Sequence, residues 1–294
     1  MKNTIIVCAV QQPCNLDRQT NFDFSVAKIH EAAANNADLV ILPELHLDPY
    51  FCQNEDYRHF DLAQPIPGST TDILSALAKK LGIVIVSTLF EKRAAGLYHN
   101  TAVVFDKDGS LAGKYRKMHI PDDPGFYEKY YFTPGDIGFK PIETSIGKLG
   151  VLICWDQWFP EGARLMTLAG AEMLIYPTAI GWDPEDDSEE HLRQLNAWIT
   201  IQRSHAVANG IPVVACNRIG FEKAPDSDAG INFWGNSFIA GPQGEILTSA
   251  NATDPQLLTY TIDKSRTERV RQIWPYLRDR RIDDYGNLTK RYID

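Results

Sequence analysis

Short, uninterrupted apolar runs alternate with stretches of helical periodicity along most of this chain. Residues 5–10 (IIVCAV) form the first run and read as a strand buried on both faces. Phe22, Val26, Ile29 and Ala33 then recur at spacings of four, three and four, which is one face of a helix. A second strand is predicted at 38–42, stopped by Pro43, followed by a helix over 69–81 with Ser69 or Thr70 as N-cap and a strand over 83–89. Residues 101–105 and 110–115 flank Asp106-Lys107-Asp108-Gly109, a hairpin signal. Beyond it lie a basic run, 114–121, ending at Pro121, and a loop, 122–135. A strand at 150–153, a helix at 160–169 and a strand at 172–176 stopped by Pro177 come next. A long helix at 188–209 carries Leu192, Leu195 and Ile199 on one face, and strands at 212–216 and 237–240 lead to a Gly-containing turn at 241–246. A short helix is predicted at 266–274. The pattern predicts an α/β protein whose sheet layers are covered by helices.

No low-complexity linker interrupts the 294 residues, so one domain is expected over 1–294, with a core over 1–262 and a polar tail over 263–294 that drapes over the surface or a partner subunit. A chain of this length buries roughly three quarters of the surface its unfolded form exposes, and needs no covalent staple. The formal net charge of −9 argues against a nucleic-acid or anionic-membrane binder and is compatible with a small cationic substrate. The five cysteines (Cys8, Cys14, Cys52, Cys154, Cys216) show no CxxC or Cys/His finger spacing, so neither a disulfide framework nor a zinc site is expected. The six apolar residues at 5–10 are too few for a signal-peptide core, and no run approaches the ~20 of a membrane span, so a cytoplasmic protein is expected.

Candidate chemistry centres on residues 149–161, LGVLICWDQWFPE, where an apolar strand ends in a cysteine and a helix opens with Pro160 and Glu161. At such a junction, backbone N–H groups and the helix dipole can depress a thiol pKa and bind an oxyanion. A buried core cysteine is the ordinary alternative. Two further strand ends change the weighting: Glu44 follows Val40-Ile41-Leu42-Pro43, and Lys117 follows the hairpin. A carboxylate to take the thiol proton, an ammonium to hold an oxyanion and a thiolate nucleophile make a covalent-catalysis set. Neither a GxSxG elbow nor a GxGxxG or P-loop motif occurs, which disfavours a serine hydrolase and a nucleotide binder.

The segments 41–45 (ILPEL), 115–121 (YRKMHIP) and 154–161 (CWDQWFPE) resemble, in the same order, the three signature segments of the nitrilase (carbon–nitrogen hydrolase) superfamily. The resemblance implies a four-layer α-β-β-α sandwich, a Glu44-Lys117-Cys154 triad and a second glutamate, which matches Glu128. It implies no metal or organic cofactor, and homodimers or larger homo-oligomers. Segments 154–161, 176–181, 217–220 and 235–242 look closest to the branch that acts on N-carbamoylputrescine in polyamine synthesis; Asn236 departs from that branch's pattern.

The expected reaction is hydrolysis of a terminal ureido group. Glu44 accepts the thiol proton and activates water, Lys117 with a backbone N–H near Trp155 holds the oxyanion, and Glu128 positions the substrate nitrogen and Lys117. The acidic cluster Asp183, Glu185, Asp186, Asp187 is the expected source of recognition for a cationic tail, with Glu185 favoured by resemblance. Tyr50 and Phe126 are expected to line the aliphatic part, with Trp155 and Ala179 also at the substrate. The competing readings are an N-carbamoyl-β-alanine amidohydrolase and an ω-amidase, whose carboxylate substrates call for Arg or Lys in the pocket.

Overall fold

The computed structural model describes residues 3–183, 185–224 and 228–294. The first half runs β1 (Thr4–Pro13), α1 (Arg18–Ala34), β2 (Leu39–Ile41), α2 (Ser69–Leu81), β3 (Val84–Ala94), β4 (Leu97–Phe105), β5 (Leu111–Arg116) and a single turn, α3 (Glu128–Tyr131). The second runs β6 (Ile142–Thr144), β7 (Gly147–Val151), α4 (Pro160–Leu168), β8 (Met173–Thr178), β9 (Gly181–Trp182), α5 (Ser188–Asn209), β10 (Val213–Lys223), β11 (Gly230–Trp234), β12 (Phe238–Ala240), β13 (Ile246–Ser249), β14 (Gln256–Asp263) and α6 (Lys264–Ile273).

One sheet has the order β5-β4-β3-β2-β1-β14 and the other β6-β7-β8-β10-β12-β13. They join where β1 lies parallel to β10, with Gln12 and Pro13 opposite Arg218 and Ile219. Alternation along the strands assigns the faces. Val7, Ala9, Leu39 and Ile41 point into the core shared with Val151, Leu174 and Val214 of the other sheet. Cys8, Val10, Val40 and Ile85 point the other way, against Phe22 and Ile29 of α1 and Leu74 of α2. Ala163 and Met166 of α4 and Trp198 and Ala206 of α5 pack on the second sheet. Helices, sheet, sheet and helices therefore stack in the expected four layers.

Local chemistry sets the element ends. Asp17 caps α1 by accepting from the Gln19 and Thr20 N–H groups, and Gly210 ends α5 at φ +60°, a conformation open to a residue without Cβ. The strand predicted to stop before Pro177 runs on to Thr178, because pairing with β7 ends at Ile175 and the missing Pro177 N–H leaves no partner waiting on that side. The strand predicted over 212–216 continues to Lys223, and β11 and β14 were not anticipated, although Leu258, Tyr260 and Ile262 alternate with Thr259 and Thr261 along β14. Among the described residues no helix is long and apolar enough to cross a membrane.

Strands β1, β2, β8 and β10 run parallel, so their carboxyl ends open on the same end of the sandwich. Ligand sites of α/β sheets form at such ends. Glu44, Cys154, Ala179 and Arg218 lie just there.

Candidate active site

Cys154 sits three residues beyond β7 at φ +42°, a left-handed conformation that costs a residue with a Cβ roughly 1 kcal/mol or more. Asp156, fully buried, holds this elbow. Its Oδ2 accepts the Ile153 N–H at 2.9 Å and the Tyr115 hydroxyl at 2.8 Å, and its Oδ1 accepts the His119 N–H at 3.0 Å. One carboxylate thus ties the cysteine turn to the segment that carries Lys117. The Cys154 thiol donates to the Ala179 carbonyl at 3.7 Å. Burial pushes its pKa well above the usual thiol value and Glu44 and Glu128 push the same way, while Lys117 opposes them. A thiol in that setting needs a base before it can attack.

The candidate base, Glu44, is placed by long-range hydrogen bonds. Glu44 Oε1 accepts from Lys117 Nζ at 2.8 Å and from Asn100 Nδ2 at 2.7 Å, and its Oε2 accepts the Ala179 N–H at 2.9 Å. Lys117 also donates to Glu128 Oε2 at 2.6 Å, and the Tyr50 hydroxyl donates to Glu128 Oε1 at 2.7 Å. Glu44, Lys117 and Glu128 are all fully buried. Burial pushes the Glu128 carboxyl up to about 7, with Lys117 pulling it down and Glu44 pushing it further up. Burial would lower Lys117, but Glu128 and Glu44 outweigh that and keep its pKa well above the lysine range, so the ammonium persists.

A cavity of about 370 Å³ opens onto Cys154 and Glu128. Phe126, Trp155 and Ala179 line it, together with Trp158 and Trp234. Two substrate assignments are corrected. Tyr50 is not in the cavity wall: it packs behind Phe126 at a ring distance of 5.4 Å and reaches the site only through its hydrogen bond to Glu128. Glu185 is exposed and outside the wall. The Asp183 side chain accepts the Glu185 N–H at 2.9 Å, while Asp187 caps α5. The carboxylates of that cluster that face the cavity are Asp183 and Asp186, the latter held by Gln194 Nε2 at 2.7 Å. Sequence reasoning also missed Asn100, Arg218 and Glu222. Arg218 and Glu222 carried one signal, since residues four apart in a strand share a face.

Three comparisons bear on this geometry. The family profile described as carbon-nitrogen hydrolase matches residues 6–272. The N-carbamoylputrescine amidase of Solanum lycopersicum is 43% identical over 98% of this chain and 96% of that protein, and the citrullinase of Francisella tularensis 40% identical over 98% and 99%. The crystal structure of a carbon-nitrogen hydrolase from Helicobacter pylori G27 has a TM-score of 0.95 to this chain at 53% identity, covering 99% of this chain and 100% of that one.

Proposed function

This chain belongs to the carbon–nitrogen hydrolase family, and from that premise we propose that it hydrolyses the terminal ureido group of N-carbamoylputrescine to putrescine, carbon dioxide and ammonia. Glu44, already bonded to Lys117 and the Ala179 N–H, takes the proton of the Cys154 thiol, and the thiolate attacks the carbamoyl carbon. The oxyanion that forms is met by the Lys117 ammonium and by the Trp155 N–H, at the start of a turn whose first N–H groups have no intrahelical acceptor. Glu44 returns the proton to the leaving nitrogen, and then activates the water that releases the acyl group from sulfur. Glu128 holds Lys117 from the other side and faces the cavity, where it can accept from a ureido N–H.

The observation that carries the substrate is the charge of the wall. Asp123, Asp183, Asp186 and Glu128 line the cavity, and among the described residues no arginine or lysine does. An ammonium-ended chain fits that wall. N-carbamoyl-β-alanine, a dicarboxylic monoamide or citrulline would bring a carboxylate there with no cation to receive it.

Ammonia release from N-carbamoylputrescine, citrulline and N-carbamoyl-β-alanine, run in parallel with Cys154→Ala as blank, tests this. The expected result is a kcat/KM for the cationic compound at least about tenfold above the others, because several partly screened carboxylates, each worth about 1 kcal/mol, attract an ammonium and repel a carboxylate. Preference for citrulline, in line with the Francisella relative, would move the substrate and leave the thiol chemistry in place.

A further inference from the structure

Arg218 and Glu222 lie buried on β10, and neither lines the cavity. Arg218 Nη2 donates to the carbonyls of Glu44 at 2.7 Å and Leu45 at 2.8 Å, and Nη1 to the Asp48 carbonyl at 3.4 Å and to Glu222 Oε1 at 2.8 Å. Glu222 Oε2 accepts the Tyr50 N–H at 2.5 Å. The guanidinium also packs on the rings of Tyr50 and Phe233, 5.7 and 5.1 Å from their centroids. The pair therefore satisfies both ends of the loop 44–50. That loop needs holding: Leu45 is in the left-handed region at φ +48°.

From this geometry we infer that the Arg218–Glu222 ion pair is the positioning device for both active-site glutamates. One arm sets Glu44 through its own carbonyl. The other sets Glu128 through Tyr50, whose N–H is on Glu222 and whose hydroxyl is on Glu128. Stability alone does not explain the pair, because a buried ion pair often adds little over apolar packing of the same volume. Geometry does: the planar fork of Arg218 reaches three carbonyls and a carboxylate from two nitrogens, one acceptor more than the three donors of a lysine can meet. Lys117 donates to both glutamates at once, so a displacement of either lengthens one of its two bonds.

The inference rests on the reading of Cys154 as nucleophile and Glu44 as its base, and its test is chosen to be independent of the substrate. Iodoacetamide alkylation of Cys154, followed by mass spectrometry of the intact chain with Cys154→Ala as blank, reads thiol activation directly; all five cysteines are buried, but Cys154 lines the cavity and the other four do not. In folded Glu222→Gln and Arg218→Lys the alkylation rate is expected to fall at least about tenfold, since displacements near 1 Å cost catalysis of that order or more. Tyr50→Phe, which breaks only the Glu128 arm, is expected to fall less, and adding it to Glu222→Gln to cost less than the two separate losses multiplied. Folded variants that alkylate at the unmodified rate, or losses that multiply independently, would overturn the proposal. Failure of both Glu222→Gln and Arg218→Lys to fold would assign the pair to the fold and overturn it too. Loss of N-carbamoylputrescine turnover in the parent chain would leave this test intact and strike only the substrate.

Discussion

Two consecutive residues, Arg116 and Lys117, end the same hairpin and enter opposite electrostatic worlds. Arg116 donates to Glu91 through Nε at 2.7 Å and Nη2 at 2.8 Å, and to Asp136 through Nη1 at 2.9 Å. Lys114 and Thr101 add further hydrogen bonds to Glu91, at 3.0 and 2.6 Å. Burial would raise the Glu91 carboxyl, but Arg116, Thr101 and Lys114 outweigh it and hold it at about 2. Lys117, by contrast, is one cation between two carboxylates, and there burial and the neighbouring Glu44 push Glu128 up to about 7. Where donors outnumber carboxylates, the cluster is an inert fastening. Where carboxylates outnumber cations and all are buried, a proton is easily moved, which is what acid–base chemistry needs.

The largest expected effect comes from removing the cation on each side. Lys117→Met deletes the group that would meet the oxyanion and leaves two buried carboxylates facing each other, so kcat/KM for N-carbamoylputrescine should fall by about 10³ or more. Arg116→Met should instead cost stability, roughly 3 kcal/mol as for a broken buried pair, with kcat/KM within about tenfold of the parent. Urea unfolding and steady-state kinetics on both variants decide it. A catalytic collapse in Arg116→Met would erase the distinction between the two clusters.

Acid separates the clusters next. Glu91 has a folded pKa below its ordinary value, so its stabilisation is complete above about 4.5 and is lost as pH falls toward about 2. Glu91→Gln should therefore be less stable than the parent at pH 7, with the gap narrowing by pH 3. Glu128 has a raised folded pKa, and the sign reverses: its contribution is complete below about 4.5 and lost as pH rises through about 7. If its carboxylate form holds Lys117, kcat/KM should climb through a limb near pH 7 in the parent chain. Glu128→Gln should lower the plateau and lose that limb, as a pH–rate profile would report.

What could be read from the sequence follows the range of the interaction. The helix face of Phe22, Val26 and Ile29 and the hairpin around Asp106-Lys107-Asp108-Gly109 are local patterns, and the structure has both. Glu44, Lys117 and Cys154 stood out because each ends an apolar or hairpin strand. Glu128 came only from the resemblance, since a glutamate in a loop has no local pattern of its own. Arg218, Glu222 and Asn100 were missed for another reason. The contacts that bring them to the site lie far along the chain, as with Arg218 and Glu44 at a separation of 174 residues. A charged residue in a strand ordinarily reads as solvent-facing, and at Arg218 the pairing of β10 with Gln12 of β1 is a long-range contact that no local pattern shows.

The smallest effect concerns the acidic loop, where the fold selects among neighbours that the sequence presents as equals. Asp186 faces the cavity and is braced by Gln194, whereas Glu185, one residue earlier, points to solvent. Asp186 is only partly buried, so water screens its attraction for an ammonium and limits its worth to about 1 kcal/mol. Asp186→Asn should therefore raise KM for N-carbamoylputrescine about five- to tenfold and leave kcat nearly unchanged, the signature of an attraction felt equally by ground and transition states. Glu185→Gln should leave both constants where they are. A KM effect in Glu185→Gln with none in Asp186→Asn would mean that the loop turns over on binding. The carboxylate surplus that defines the interior cluster would then extend to the entrance only in the substrate complex.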